Sequence, residues 1–165
     1  MKDATLCFLV KESEKEILLG MKKRGFGQGK YNGFGGKIGD NETREKAAVR
    51  ELYEETGVKV EPQHLTKAAE LNFVFLGKPE WNQTVYVFLA KEWTGMPTES
   101  EEMTAAWMKY QDIPYQQMWK DDVYWLPRVL QGLKLNGKFV FKEDNESIAE
   151  YELLENDILL EKRRF

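Results

Sequence analysis

The chain has one cysteine and one histidine among its 165 residues, no run of about 20 apolar residues of the kind that spans a bilayer, and no excess of positive charge. Each shortage removes a class of function. A lone cysteine excludes an internal disulfide and fits a reducing compartment. Cys7 sits among Leu6, Phe8, Leu9 and Val10, which reads as a buried strand rather than a reactive thiol. The single histidine, His64, lies in a polar segment outside every motif, so no serine–histidine arrangement is present for covalent catalysis. A formal net charge of −4 argues against coating polymeric nucleic acid, which needs a basic face. The N-terminus, MKDATLCFLVKESEK, lacks the apolar core and cleavage site of a secretory signal. The expectation is a soluble, cytoplasmic protein with no membrane partner, and a monomer by default.

Apolar residues at 42% and aromatics at 13% are enough for a real core, and a chain of this length is most simply one domain. The most informative stretch is 36–58, GKIGDNETREKAAVRELYEETGV. At 100° per residue, with Glu51 taken as zero, Glu55 lies near +40° and Glu54 near −60°. Val49, Leu52, Tyr53 and Thr56 fall between about +100° and +200°. This spacing predicts a helix that packs on one side and gathers three carboxylates on the other. Glu51 and Glu55 are an i,i+4 like-charge pair, which costs about 0.2–0.5 kcal/mol on an isolated helix. A hard cation with oxygen ligands reverses that penalty. Mg²⁺ is the first expectation and Mn²⁺ the alternative. A cap at Asn41 or Thr43 starts the helix, Glu42 and Glu45 fall near its positive end, and Gly57 ends it. Arg50, four residues before Glu54, is spaced to brace that carboxylate from the side.

The same stretch resembles the Nudix box, the signature of nucleoside-diphosphate-X hydrolases. Gly36, Glu42, Arg50, Glu51, Leu52, Glu54, Glu55, Gly57 and Val58 fill all nine specified positions over 23 residues. The resemblance implies an α/β (α+β) fold, the Nudix α/β/α sandwich around a mixed β-sheet, and metal-assisted attack of water on a phosphoanhydride. It makes Glu54 and Glu55 metal ligands and Glu51 either a ligand or the base. Glu102 matches an acid outside the box that ligates or acts as base, with Glu99 and Glu101 as weaker substitutes. The carbonyl of Gly35 or Gly36 is a further ligand in this family.

Along the rest of the chain, Thr5–Val10 and Glu16–Gly20 read as strands around a polar turn. Residues 22–36 carry six glycines in fifteen, a density that implies positive φ or close approach to something. Leu71–Leu76 and Thr84–Ala90 read as paired strands, and Ala105–Tyr110 as another. Pro114–Trp119 and Tyr124–Leu133 suggest helical segments, and Lys138–Lys142 with Ile148–Leu154 a final hairpin. The domain is expected to span 1–155. Residues 156–165 are left as a tail, either frayed or a short helix.

Outside the box the chain resembles the branch of the family that hydrolyses oxidised purine nucleoside triphosphates such as 8-oxo-dGTP. The resemblance runs from about residue 4 to 155 and rests on ILLGMKKRGFGQGKYNGFGGK at 17–37, FVFLGKPE at 73–80, TESEEM at 98–103 and MWKDDVYWLP at 118–127. It implies a base pocket of Asn32, Trp119, Asp121 and Asp122, with Phe73 in its wall and Lys22 near the sugar and phosphates. The chemistry is coherent: an amide offers donor and acceptor, and an indole stacks on a π-face. Two adjacent aspartates in an apolar pocket do not both ionise cheaply, so one keeps a proton. The bland alternative for the aspartate pair is a helix N-cap. Tyr31 replaces a tryptophan, Cys7 stands near a pocket threonine, and Trp81 lies in a lengthened loop. The expected reaction yields a monophosphate and pyrophosphate. The alternatives are a Nudix hydrolase for another nucleotide (a normal or methylated triphosphate, or ADP-ribose) and a non-catalytic nucleotide sensor.

Overall fold

The computed structural model describes residues 1–165. Its elements run β1 (Lys2–Lys11), β2 (Glu16–Met21), β3 (Tyr31–Asn32), α1 (Arg44–Thr56), β4 (Leu65–Phe75), β5 (Gln83–Ala90), β6 (Ala106–Lys109), α2 (Asp122–Leu130), β7 (Leu135–Phe141), β8 (Ile148–Glu155) and β9 (Ile158–Arg164). The strands form one mixed sheet in the order β3-β2-β1-β5-β4-β7-β8-β9, with β6 also paired to β2. β1/β5 and β4/β7 are parallel; the other pairs are antiparallel.

Successive residues of a strand face opposite sides of a sheet, and here both sides are apolar. Cys7 and Leu9 of β1, Leu18 of β2 and Phe88 of β5 face one core, which α1 closes with Ala48 and Leu52. Phe8, Val10, Leu19 and Val87 face the other, which α2 closes with Trp125, Leu126 and Val129. The near-continuous apolar runs of these strands follow from that double coverage. The result is the expected α/β/α sandwich. No helix is long and apolar enough to cross a membrane.

The expected strands all appear, most of them longer than the sequence suggested. Three expectations are corrected. Residues 115–117 form only a single 3₁₀ turn, and α2 stops at Leu130, with Pro127 removing one of its backbone donors. Cys7, by contrast, lies where its apolar neighbours indicated, fully buried in the core under α1, and burial pushes its thiol up to about 12. Residues 156–165 are neither frayed nor helical. Asn156 and Asp157 take φ of 49° and 62°, the conformation of a two-residue hairpin turn. The segment then returns along β8 as β9, registered from Glu155↔Ile158 to Glu150↔Arg164.

Candidate active site

Helix α1 is set by its caps. Thr43 accepts the Lys46 N–H at 3.2 Å, and Gly57, at φ 77°, donates its N–H to the Tyr53 carbonyl at 2.8 Å. The three glutamates of the box do not share one open stripe as their spacing suggested. The buried side of the helix carries Ala47, Ala48, Leu52, Glu55 and Thr56, whereas Tyr53, expected to pack, is 58% exposed. Glu55 faces the sheet and is 6% exposed; its Oε1 accepts the Gly35 N–H at 2.9 Å. Glu54 faces solvent, and Glu51 lies between the two. The cause is the glycine segment beneath. Gly35 runs so close to β1 that a Cβ on it would lie 1.8 Å from the Thr5 carbonyl oxygen, and a Cβ on Gly36 would lie 2.6 Å from the Glu51 carboxylate. Backbone without side chains lets a carboxylate come in underneath.

Arg50 organises the outer half. Its Nε and Nη2 grip Glu42 at 2.7 and 3.0 Å, Nη1 reaches Glu51 at 2.9 Å, and Nη2 also donates to the Lys37 carbonyl at 3.1 Å. The contact with Glu54, the one anticipated from spacing, is the longest at 3.5 Å. The planar guanidinium suits this fork-to-fork grip. Glu42, which also accepts the Gly39 N–H at 2.8 Å, is held down to about 2 by the Arg50 hydrogen bond first and the Gly39 N–H second.

Glu55 behaves in the opposite way. Burial first, then the charge of Glu51, push it up to about 8, with Glu102 adding to the rise and the Gly35 N–H and Lys22 opposing it. Glu102 is carried by the 99–103 loop, which is pinned to the glycine-rich loop by the Lys23–Glu99 ion pair and by the Lys23 N–H on the Glu102 carbonyl at 2.7 Å. Glu99 is thus already committed, and Glu101 points outward against Arg24. No three acidic side chains form a closed metal cage, as expected of carboxylates that repel one another without a cation between them. The donor set nevertheless fits a hard divalent ion. A buried carboxylate sits beside two others. The Gly36 carbonyl already accepts the Thr5 N–H at 2.9 Å, whereas the Gly35 carbonyl accepts no hydrogen bond.

From Glu55 and Lys22 a cleft of about 940 Å³, partly open to solvent, runs past Asn32 and Gly33 to Trp119, Asp121 and Asp122. Its walls are aromatic: Phe26, Phe73, Phe75, Trp119, Trp125 and Phe141. Phe26 stacks on Trp119 with ring centres 5.2 Å apart, and Phe73 stacks on Phe139 at 5.9 Å. Lys30 places its ammonium 5.0 Å over the Trp119 ring. At the closed end, Asp121 and Asp122 are 3% and 2% exposed. Asp121 occupies the N-cap position of α2 yet makes no cap bond; instead its Oδ2 accepts the Trp125 indole N–H at 2.7 Å. Asp122 Oδ2 is buried with no partner, and so is Thr5 Oγ1 in the same cleft. Burial pushes Asp121 up to about 6 against the pull of the indole. Asp122 is raised well above the usual carboxylate range by burial and then by the Asp121 charge. A single proton shared by the pair gives an acceptor and a donor side by side.

The cleft brings together Asn32, Lys22, Phe73, Trp119, Asp121, Asp122, Gly35, Gly36 and Glu55 of the residues singled out above. Glu51, Glu54 and Glu102 stand outside its lining, and Arg50 stands behind them on the helix. Trp81 packs against Phe26 and Phe75 from outside the lining. Sequence reasoning missed the role of Thr5, for which no signal exists, and of Trp125, for which one does. Four residues after Asp121, it lies one helical turn on and over the same face. Glu42 had a fixed place in the box but no assigned partner; its match is Arg50, eight residues on.

A Nudix domain pattern matches residues 1–129. The chain is 47% identical over 143 residues to the oxidized purine nucleoside triphosphate hydrolase of Mus musculus, covering 87% of this chain and 89% of that protein. It is 46% identical over 137 residues to the protein of the same description from Danio rerio, covering 83% and 85%. Among solved structures, a MutT protein from Bacillus halodurans superposes with a TM-score of 0.78 at 26% identity, covering 93% of this chain and 97% of that one.

Proposed function

The chain belongs to the Nudix family, whose members use divalent metal ions, and on that premise we propose that it hydrolyses oxidised purine nucleoside triphosphates such as 8-oxo-dGTP to the monophosphate and pyrophosphate. The observation that carries this reading is the pair of buried aspartates at the closed end of an aromatic cleft, one with an oxygen that no protein group satisfies. A buried carboxyl oxygen without a partner costs about 1–3 kcal/mol, and a purine edge offering donor and acceptor together recovers that cost. Trp119 and the phenylalanines hold the base by stacking. Asn32 is held with its Oδ1 on the Gly33 N–H at 2.8 Å, which leaves its amide N–H₂ free to donate into the cleft. Lys22 lines the same cleft, and in this reading its ammonium meets the sugar and phosphates.

At the other end, the Gly35 carbonyl, Glu51, Glu54, Glu55 and Glu102 are the groups that would hold a divalent ion, Mg²⁺ in our reading. When bound, the ion offsets the triphosphate charge and polarises the anhydride. The remaining work belongs to the side chains. The cleft fixes the base, so the triphosphate lies along Lys22 toward the box helix, and positioning lowers the entropy of the attack. Water adds to the β-phosphorus, and the bridging bond from that phosphorus to the α-phosphate oxygen breaks. The nucleoside monophosphate leaves with the electron pair, and the β- and γ-phosphates depart as pyrophosphate carrying the water oxygen. The proton of the water passes to Glu51 or Glu102. Arg50 does not touch substrate; its grip on Glu42 and Glu51 keeps the acidic face in one geometry.

The test is pyrophosphate release with saturating Mg²⁺ across oxidised and normal (d)NTPs. A kcat/KM preference of at least about tenfold for 8-oxo-dGTP over dGTP is expected from one extra satisfied hydrogen bond. Indifference to oxidation would reject the substrate, and hydrolysis of ADP-ribose alone would move the protein to another branch of the family.

A further inference from the structure

The two aspartates that close the cleft are carried by the start of α2, a nine-residue helix with Pro127 inside it and no side-chain cap at its first turn. So short a helix has little stability of its own, and its placement depends on what it packs against. Its inner face meets the sheet through Trp125, Leu126 and Val129. Its other contacts lead to the C-terminal strand. Arg128 Nη2 donates to Glu161 of β9 at 2.7 Å, both side chains being 29% exposed, and Arg128 Nη1 is buried with no partner. Tyr124 stacks on Tyr151 of β8 at 4.5 Å, and Phe165 lies beside both rings, 6.5 and 6.2 Å away. Phe165 is itself fixed by its N–H on the Ala149 carbonyl at 2.8 Å. The strand that supplies Glu161 lies outside residues 1–129, the stretch shared with the family pattern.

We propose that β9 is a brace for the base-reading end of α2, and that Arg128, Glu161 and Phe165 are positioning residues for the purine. The brace holds the helix at two points, one turn apart. Trp125 lies between the fixed points Tyr124 and Arg128, and Asp122 and Asp121 lie two and three residues ahead of the first, with Asp121 tied to Trp125 by the indole hydrogen bond. A small sliding or rotation of α2 moves Asp121, Asp122 and Trp125 together, because they share one turn. The effect is therefore expected on recognition of the base and not on the box carboxylates, which belong to α1 on the opposite face of the sheet. This inference rests on the substrate reading given above, but its geometry is testable without substrate.

The experiment uses the full chain. Glu161→Lys places a cation against Arg128, and the exchange Arg128→Glu with Glu161→Arg restores the pair in reverse; Phe165→Ala removes the second contact. All are assayed well below their melting temperatures. In Glu161→Lys and Phe165→Ala, KM for 8-oxo-dGTP should rise about fivefold with kcat within about twofold, the signature of a displaced binding group. The exchanged pair should return KM to near its starting value. In parallel, the Trp125 indole N–H resonance, assigned by its loss in Trp125→Phe, should shift and exchange faster in the two single variants and recover in the exchange. A lower Tm with KM and the Trp125 resonance both unchanged would reduce β9 to a stabilising strand and overturn the proposal. If the wild-type chain shows no preference for oxidised purines, the substrate reading fails instead, and the indole resonance still decides the brace.

Discussion

Asp121→Asn is expected to make the protein more stable at neutral pH while making it a poorer enzyme. Asp121 is buried at 3% exposure and its carboxyl is pushed from 3.8 to about 6, chiefly by burial. At 1.36 kcal/mol per decade, holding that carboxylate ionised at pH 7 costs the fold about 3 kcal/mol. The amide removes the charge and keeps an oxygen for the Trp125 indole, so little is lost in exchange. The sign follows from the raised value. The stability tied to this group is fully present below pH 3.8, falls as pH rises toward about 6, and stays low above it. The advantage of the variant should therefore be near zero at pH 4 and grow to a plateau above pH 6. At about 2–4 °C per kcal/mol for a chain of this size, the ceiling is a Tm gain of about 10 °C. Urea titrations at pH 4 and pH 7.5, with the midpoint and slope compared at each, measure it directly. In the same preparation, kcat/KM for 8-oxo-dGTP should fall about 10- to 100-fold, since the amide changes the donor–acceptor pattern that reads the base. A variant that is less stable than wild type at pH 7.5, or equally shifted at both pH values, would refute the buried-charge reasoning.

Three further outcomes bear on the catalytic half. Glu54→Gln and Glu55→Gln should each lower kcat by more than about 10² with Mg²⁺ saturating. Near-normal turnover in both would remove the metal assignment, and isothermal titration with Mn²⁺ checks binding separately. Arg50→Lys keeps the charge but loses the planar grip on Glu42 and the reach to Glu51, so kcat should fall about tenfold or more while KM changes little; steady-state kinetics on the folded variant decides. Chelation with EDTA should abolish pyrophosphate release and excess Mg²⁺ restore it, whereas activity that survives exhaustive chelation would rule out the metal-assisted reaction.

The strands and the box helix were legible because their apolar residues recur at the spacing the elements require. Membership in the Nudix family was legible in the nine fixed positions of the box. What the spacing missed was orientation. A helical wheel assigns charge to water by default, yet Glu55 is drawn inward because Gly33–Gly36 leave room and an N–H beneath it. The proposed base pocket was readable only through resemblance. Its members come from β1, the glycine-rich loop, β4 and the start of α2, and no local pattern links elements so far apart in the chain. The last strand escaped for another reason. ILLEKRR shows no alternation, since an outer strand whose side chains are mostly exposed is held by backbone pairing with β8 rather than by a buried face.

The glycine floor beneath α1 also bears on how such a protein can change over evolutionary time. A methyl group at Gly33 would meet Phe8 at 2.8 Å, at Gly35 the Thr5 backbone, and at Gly36 the Glu51 carboxylate. These positions cannot drift by small steps, because even alanine demands movement of a central strand or of a box glutamate. The aromatic end has no such lock: Phe26 is 41% exposed and meets Trp81 and Trp119 only through ring faces and edges. Divergence is thus channelled toward the aromatic end of the cleft, while the glycine floor beside the box helix is held fixed by the absence of room.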